Sequence, residues 1–384
     1  MAFLVKGRSI AAVAEASYGA SVVFADTDYV DYTAADLSTD IENIDREVIR
    51  NSLVSLEPIL GQETSSGSIT VELSGEDAIS GVNGDLLFTN GIGKKLAGVT
   101  GLTVTAAVDA SNFTVSDASG LAQGQALKVS LTGGDEYTII ATVDTGTGDV
   151  TVSPALSGTP TVTDVVAGLT TYILPRPNDT IASLAIREHL ANQAGSTIDY
   201  DYSGVMVSDV ALDFPVGGIC TAVFSTGGAG FSTTSPGSTI TLPCDTYTPA
   251  VGKNAVLSVM GTAYTAQDVS MSVSTEITDI NSITTDGISN KLGISKEVTG
   301  SFRTEYTGTD NFDAFKAGTT GETILLLRDG GATSPVIVGA YMPQIKFTNV
   351  SRSDDGGVLY DTVEFMALSP DCDNNERAFS LFFD

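Results

Sequence analysis

Gly67-Ser68-Ile69-Thr70-Val71-Glu72-Leu73-Ser74-Gly75-Glu76-Asp77 returns 233 residues later as Gly300-Ser301-Phe302-Arg303-Thr304-Glu305-Tyr306-Thr307-Gly308-Thr309-Asp310. In both copies apolar residues alternate with small or polar ones and a Gly/Asp turn follows, the pattern of a half-buried β-strand. Upstream, Ser38-Thr39-Asp40-Ile41-Glu42-Asn43-Ile44-Asp45 returns at an offset of 236 as Ser274-Thr275-Glu276-Ile277-Thr278-Asp279-Ile280-Asn281. Downstream, Ile79 and Val82 stand where Phe312 and Phe315 stand. A weaker third match sets Tyr202–Phe214 against Gly339–Val350. The preserved order implies a tandem duplication, each copy running strand, long hairpin or arm, strand, short helix and further strands.

The same alternation recurs at Val269–Ser274 and Val338–Met342. Helical periodicity is rare. Asp310–Gly318 predicts a helix with Asp310 as its cap, Phe312 and Phe315 on one face, and Gly318 closing it. Ile181–Leu190 admits either a helix with Ile181, Leu184 and Ile186 inward, or a strand over Ala182–Arg187. Ser225–Thr241, rich in Gly, Ser and Thr, predicts an exposed loop.

Residues 97–168 differ in composition. They hold one base, Lys128, against Asp109, Asp117, Asp135, Glu136, Asp144, Asp149 and Asp164. Strands are expected at Thr103–Val108, Phe113–Val115, Ala126–Leu131, Glu136–Asp144 and Asp149–Val152, separated by tight Gly-rich turns. The stretch reads as a small β domain inserted into a larger one. The expected fold is mainly β, with two tandem antiparallel sandwich or barrel modules, each with a short helix, plus the insert. The first module takes residues 1–96 and 169–248, and the second takes 249–384.

The chain has 384 residues, 18 Lys+Arg against 47 Asp+Glu, and a formal net charge of -29. Charged residues make up only 17%, so the charge reflects a shortage of bases. At 42% hydrophobic the chain can bury a core, which disfavours disorder. So acidic a surface also disfavours gripping duplex DNA or anionic lipid. No window approaches 18 continuous apolar residues, as a spanning helix needs. Met1–Ala20 faintly resembles a signal peptide, but its apolar run stops at Glu15. Cys220, Cys244 and Cys372 are odd in number and far apart; they read as free thiols, in keeping with a reducing cytoplasm.

No residue earns a catalytic, cofactor or metal role. His189, between Glu188 and Leu190, is the lone histidine and reads as a surface or packing residue. Gly91-Ile92-Gly93-Lys94-Lys95 lacks full phosphate-loop spacing and reads as a helix end with solvated lysines. Asp26, Asp28 and Asp31, and Asp371, Asp373 and Glu376, offer carboxylates for calcium but match no EF-hand loop, and ordinary turns account for both. No Gly-x-Ser-x-Gly elbow occurs. The chain reads as non-enzymatic.

Two open β modules in one chain leave outer edges, which neighbouring copies can satisfy by closing a ring. Gly7–Val13 followed by Glu15–Gly19, the Gly67–Leu73 strand leading to a short helix, and their second copy from Val298 to Ala317 together resemble the major tail tube proteins of long-tailed bacteriophages. The likeness is to the larger, two-module type. It implies inner sheets joined around a channel, with three copies making a pseudo-six-fold ring and stacked rings making the tube. It also implies a tape-measure protein in the lumen, tail tip or baseplate and tail terminator proteins at the ends, and double-stranded DNA as cargo passed without being gripped. The protein would be made in the host bacterial cytoplasm, reside in the virion and bind no membrane by itself. Residues 97–168 resemble exterior decoration domains. Arg46–Ser66 and Ser282–Val298 become candidate arms, with Val48, Ile49, Leu53, Val54, Leu56, Pro58, Ile59 and Leu60 for contact; folding of the first onto its own module is the alternative. Glu72 and Glu305 mark strands that would supply lumen acids, with an outward orientation as the equal alternative. Another β-rich surface protein, an adhesin or fibre, and a contractile sheath remain alternatives.

Overall fold

The computed structural model describes residues 7–45, 57–75, 84–177, 179–192, 195–240, 247–282, 287–328, 336–370 and 375–384. The chain opens with β1 (Arg8–Ala14), β2 (Tyr29–Val30), β3 (Ala34–Ile44), β4 (Ile59–Glu72), helix α1 (Gly84–Gly91) and β5 (Lys94–Leu96). The insert supplies β6 (Val99–Ala107), β7 (Asn112–Val115), β8 (Ala126–Leu131), β9 (Gly134–Asp144), β10 (Asp149–Ser153) and β11 (Val165–Gly168). Then come β12 (Thr170–Ile173), β13 (Leu184–Ala191), β14 (Thr197–Pro215), β15 (Thr221–Gly228) and β16 (Gly230–Thr234). The remainder is β17 (Val251–Val259), β18 (Thr262–Tyr264), β19 (Ala266–Ser282), β20 (Gly287–Glu305), α2 (Asp310–Ala317), β21 (Thr320–Arg328), β22 (Val336–Asp355), β23 (Val358–Ala367) and β24 (Ser380–Phe383). The expectation of a mainly β chain with tube-like modules holds.

One antiparallel ladder runs β3-β4-β15-β14-β19-β20-β23-β22 and forms a wall. Two of its strands leave it. The first half of β14 pairs with β13 and β16, and the first half of β22 pairs with β21 and β24, so each belongs to two layers. The outer layer continues from β13 to β1 and β2, and from β24 to β12 and β5. Between the layers lies one core containing Ile69, Phe88, Phe224, Phe302, Phe365 and Phe383. Phe88 meets Phe224 edge-on at 4.9 Å, a favoured aromatic geometry.

The repeated Gly-Ser is explained by close approach. A Cβ on Gly67 would lie 2.1 Å from the Asp36 carbonyl oxygen, and one on Gly300 would lie 2.8 Å from that of Ser270. Both glycines admit the neighbouring hairpin strand at equivalent points of the wall.

Register refines the repeat. Ala35 faces Ile69 and Val269 faces Phe302, so Ser38 takes the place of Ser272, two residues from the sequence match. That even shift keeps every side chain on its face. The third match needs a larger correction. Ser208 and Thr348 are both skipped in their ladders, which makes Val210 the counterpart of Val350 and Tyr202 that of Met342. The same two strands are involved, but three residues further along.

Other expectations also change. Residues 184–191 form a strand, not a helix; Leu184 and Ile186 are buried in the core. Ser225–Thr241 is no loop over most of its length, because it supplies β15 and β16. Its small residues fit tight gaps, Gly228 against Ser65 and Gly237 against Asp199. In α2, Asp310 is the first helical residue and Thr309 stands at the cap without a side-chain bond. Gly318 closes it in the left-handed conformation, φ 66°. The first copy's helix is α1, beyond Ile79 and Val82, which lie outside the described residues.

Residues 99–168 close into a six-stranded barrel, order β10-β7-β6-β11-β8-β9, around Leu102, Phe113, Val129, Ile140 and Val166. A separate cluster joins it to the body, with Tyr137 and Ile139 against Tyr341 and Phe382.

Candidate functional site

The wall has two unlike faces. On β14, Val210, Leu212 and Phe214 point into the core, as do Val269, Met271 and Val273 on β19. The alternate residues form a concave, polar surface. Asp36, Asp40, Glu72, Asp209, Asp213, Asp268, Glu276, Glu297, Glu305 and Glu364 lie there among serines and threonines. Ser272 donates to Asp209 at 2.6 Å, and Ser270 and Ser301 hydroxyls meet at 2.9 Å across adjacent strands. A groove of about 650 Å³ runs over this surface between Asp213, Ser270, Thr299, Ser301 and Glu364. Two bases stand on this face: Lys346, exposed between the buried Ile345 and Phe347, and Arg303, whose charge is engaged by Asp355 at 3.0 Å and whose plane lies over Tyr360. Carboxylates in such excess over bases repel phosphate rather than neutralise it. Glu72 and Glu305 both stand on this polar face, beside the buried Val71 and Thr304.

The wall's two ends are open. Among the described strands β3 pairs only with β4, and β22 beyond Phe347 pairs only with β23. Arg8 donates to the Ala35 carbonyl near the start of the β3 edge. The middle of the wall shows what such edges can do. There β14 pairs with β19, from Asp209 opposite Ser274 to Pro215 opposite Asp268. In the repeat, β14 corresponds to β22 and β19 to β3. The seam between the two halves is therefore the pairing that the two open edges would make with each other.

The candidate arms are long hairpins. β3 and β4 flank the segment around Arg46–Leu56, and β19 and β20 flank 283–286. Val48, Ile49, Leu53, Val54 and Leu56 lie outside the described residues. Pro58, Ile59 and Leu60 are exposed.

The other singled-out residues have local roles. His189 is buried, and its Nδ1 lies 2.6 Å from Asp199. Asp199 also accepts from the Ser238 amide at 2.8 Å and hydroxyl at 2.7 Å, and sits 3.4 Å from Arg187. Burial raises the Asp199 pKa, but the Ser238 and His189 hydrogen bonds and the Arg187 charge outweigh it, holding the carboxyl below its ordinary value. Arg187 grips Asp201 through two bonds of 2.7 and 2.8 Å. Sequence reading missed this network because Asp199, Asp201 and Ser238 look like ordinary turn and strand residues. Lys94 and Lys95 do not end α1 but open β5; Lys94 is exposed, while Lys95 pairs with Asp85 at 2.8 Å. Asp28 accepts from the Ala25 amide in a short 3-10 turn. Burial pushes the Cys220 thiol up to about 12. Cys244, Cys372, Asp371 and Asp373 lie outside the described residues, as does the Glu376 side chain.

A family model described as phage tail tube protein matches residues 6–367. A search of curated proteins returns no match.

Proposed function

Because the chain belongs to the phage tail tube protein family, a structural component of the virion that assembles into a tube, we propose that three copies join edge to edge into a pseudo-six-fold ring. Stacked rings then form the conduit through which double-stranded DNA leaves for the host. The observation that carries this reading is the in-chain seam. β14 and β19 already make the contact that β22 of one copy would make with β3 of the next. Carried across, the register sets Val350 opposite Thr39 and Ser351 opposite Ser38. Three walls of eight strands make a barrel of about 24 strands. At an inter-strand spacing of ~4.8 Å and a tilt of ~35–45°, it is roughly 45–50 Å across the backbone.

The polar face becomes the lumen wall, and its carboxylates let a duplex slide without a phosphate-neutralising hold. A tape-measure protein occupies the lumen before ejection, and tip or baseplate and terminator proteins bound the tube's ends. Residues 1–96 with 169–248, and 249–384, act as the two tube modules. Residues 97–168 decorate the exterior, a placement supported by their docking on β22 and β24 in the outer layer. The work done is structural, not catalytic.

Electron microscopy of the purified protein tests the reading. Hollow tubes whose cross-section shows three chains and six lobes are expected. A monodisperse monomer that never polymerises, even with the other tail components present, would refute it.

A further inference from the structure

Helix α1 and helix α2 hold the same place in the two halves, but their surroundings differ. α1 buries Leu87, Phe88, Asn90 and Gly91. The hairpin β19–β20 of the second half reaches its C-terminal end, where Lys296 Nζ donates to the Gly91 carbonyl and to Thr275 Oγ1, the latter at 2.7 Å. A cation at a helix C-terminus meets the negative end of the helix dipole. Burial brings the Lys296 ammonium down to about 8. Val210 and Val207, on the seam strand, press against Gly91 from below.

α2 packs on β22, yet only Asn311 of its residues is buried. Phe312 is 49% exposed, with Phe315 beside it at 6.4 Å between ring centres. Lys316 in its last turn and Lys346 near Gly318 are exposed. The hairpin with the matching place in the repeat is β3–β4, which lies at the opposite end of the wall in the same copy. It carries its own uncovered aliphatics: Leu60, 67% exposed, on the face that Ile41 and Asn43 share, and the facing pair Ile44 and Ile59, at 48% and 53%, on the other. Glu63, opposite Ile41, stands where Lys296 stands opposite Thr275.

We infer that the β3–β4 hairpin of a second copy docks across α2, setting Leu60 on Phe312 and Phe315 and Glu63 against Lys316 and Lys346. The inference rests on the ring reading and specifies the contact that accompanies each edge-to-edge seam. The in-chain hairpin on α1 is its template. The exposed apolar residues on the two surfaces cover one another, and the charge pairing is inverted, a lysine meeting bare carbonyls at α1 and a glutamate meeting lysines at α2. That inversion disfavours the β3–β4 hairpin at α1, where the Glu63 carboxylate has no proton to donate to the Gly91 carbonyl that Lys296 now engages.

The test combines charge reversal with cross-linking. Glu63→Lys is expected to reduce tube formation roughly tenfold or more, as like charges meet across an interface. Its monomer should melt like the parent, because Glu63 is only partly buried. Lys316→Glu with Lys346→Glu in the same chain should restore assembly. Leu60→Cys mixed with Phe312→Cys should give inter-copy products with a short bifunctional thiol reagent, against parent and single-variant controls. Parent tubes that form normally while Glu63→Lys assembles equally well and the cysteines stay unlinked would overturn the docking and leave the ring reading standing. A parent that forms no tubes and no cross-links would overturn both.

Discussion

Removing the barrel is the perturbation whose outcome the structure constrains most. Its base is a ready-made closure, since β5 pairs with β12 and Leu96 lies opposite Thr171. Replacing residues 98–168 by a short Gly-containing turn therefore joins two neighbouring strands without spanning a gap. The cost comes from what the barrel covers. Tyr137 stacks on Phe382 at 6.4 Å between ring centres, Lys128 and Tyr137 both reach Asp384 at 2.8 Å, and Tyr341 is buried beneath. Uncovering one side of Tyr341 and Phe382 exposes roughly 200 Å² of apolar surface, or about 5 kcal/mol at ~25 cal/mol/Å². For a body of this size that corresponds to a fall in Tm of about 8 °C. Calorimetry should show the body's transition lowered by that amount, and electron microscopy should still show tubes, because the barrel docks on β22 at Tyr341, before the stretch beyond Phe347 that forms the open edge. Tm unchanged within a degree or two would refute the packing argument. A chain that fails to fold would show the barrel to be part of the body's core, and a folded chain without tubes would refute the exterior placement.

Three further outcomes follow from individual sites. Glu72→Lys with Glu305→Lys should leave tubes intact but make them retain duplex DNA at low salt, with retention falling steeply as salt rises; fluorescence anisotropy of labelled duplex reads this, and an effect insensitive to salt would contradict it. Asp199 has a lowered pKa in the fold, so its stabilisation is present above its unfolded value of about 3.9 and is lost as pH falls through the lower folded value. Asp199→Ala should cost about 3–5 kcal/mol near neutrality, leaving Arg187 short of a buried partner, and its stability should fall less steeply than the parent's below pH ~4 in urea titrations. Cys220, with a thiol pushed up to about 12, should resist alkylation at pH 8 until denaturant opens the core, as peptide mass spectrometry would show.

The duplication was legible because Gly67 and Gly300 are each required where a strand passes too close for a Cβ, a local constraint that leaves a local mark. The barrel was legible for a similar reason, since its strands are short and its turns are glycine-rich; only Val165–Gly168 escaped, too brief to show an alternation. The layer change within β14 and β22 left little trace. A strand that passes from one sheet to another keeps its period of two, and only a skipped residue, Ser208 or Thr348, marks the crossing. The Ser225–Thr241 stretch misled because small residues suit exposed loops and crowded sheet contacts alike. The pairing of β24 with β12 joins segments about 200 residues apart, and no windowed pattern reveals it. The acidic wall face was foreshadowed only as net charge; its concavity needed the ladder.

The β14–β19 seam also bears on how quickly a wall can grow. Within one chain that seam forms at an effective concentration of order millimolar, whatever the amount of protein present. In the proposed ring, half of the module contacts are thus made before any two copies meet. A ring of six separate modules would require five bimolecular joins and one closure, whereas the proposed ring of this chain requires two joins and one closure. Its assembly threshold should accordingly be set by one kind of contact, β22 on β3, and should respond to concentration as a lower-order process than that of a single-module relative.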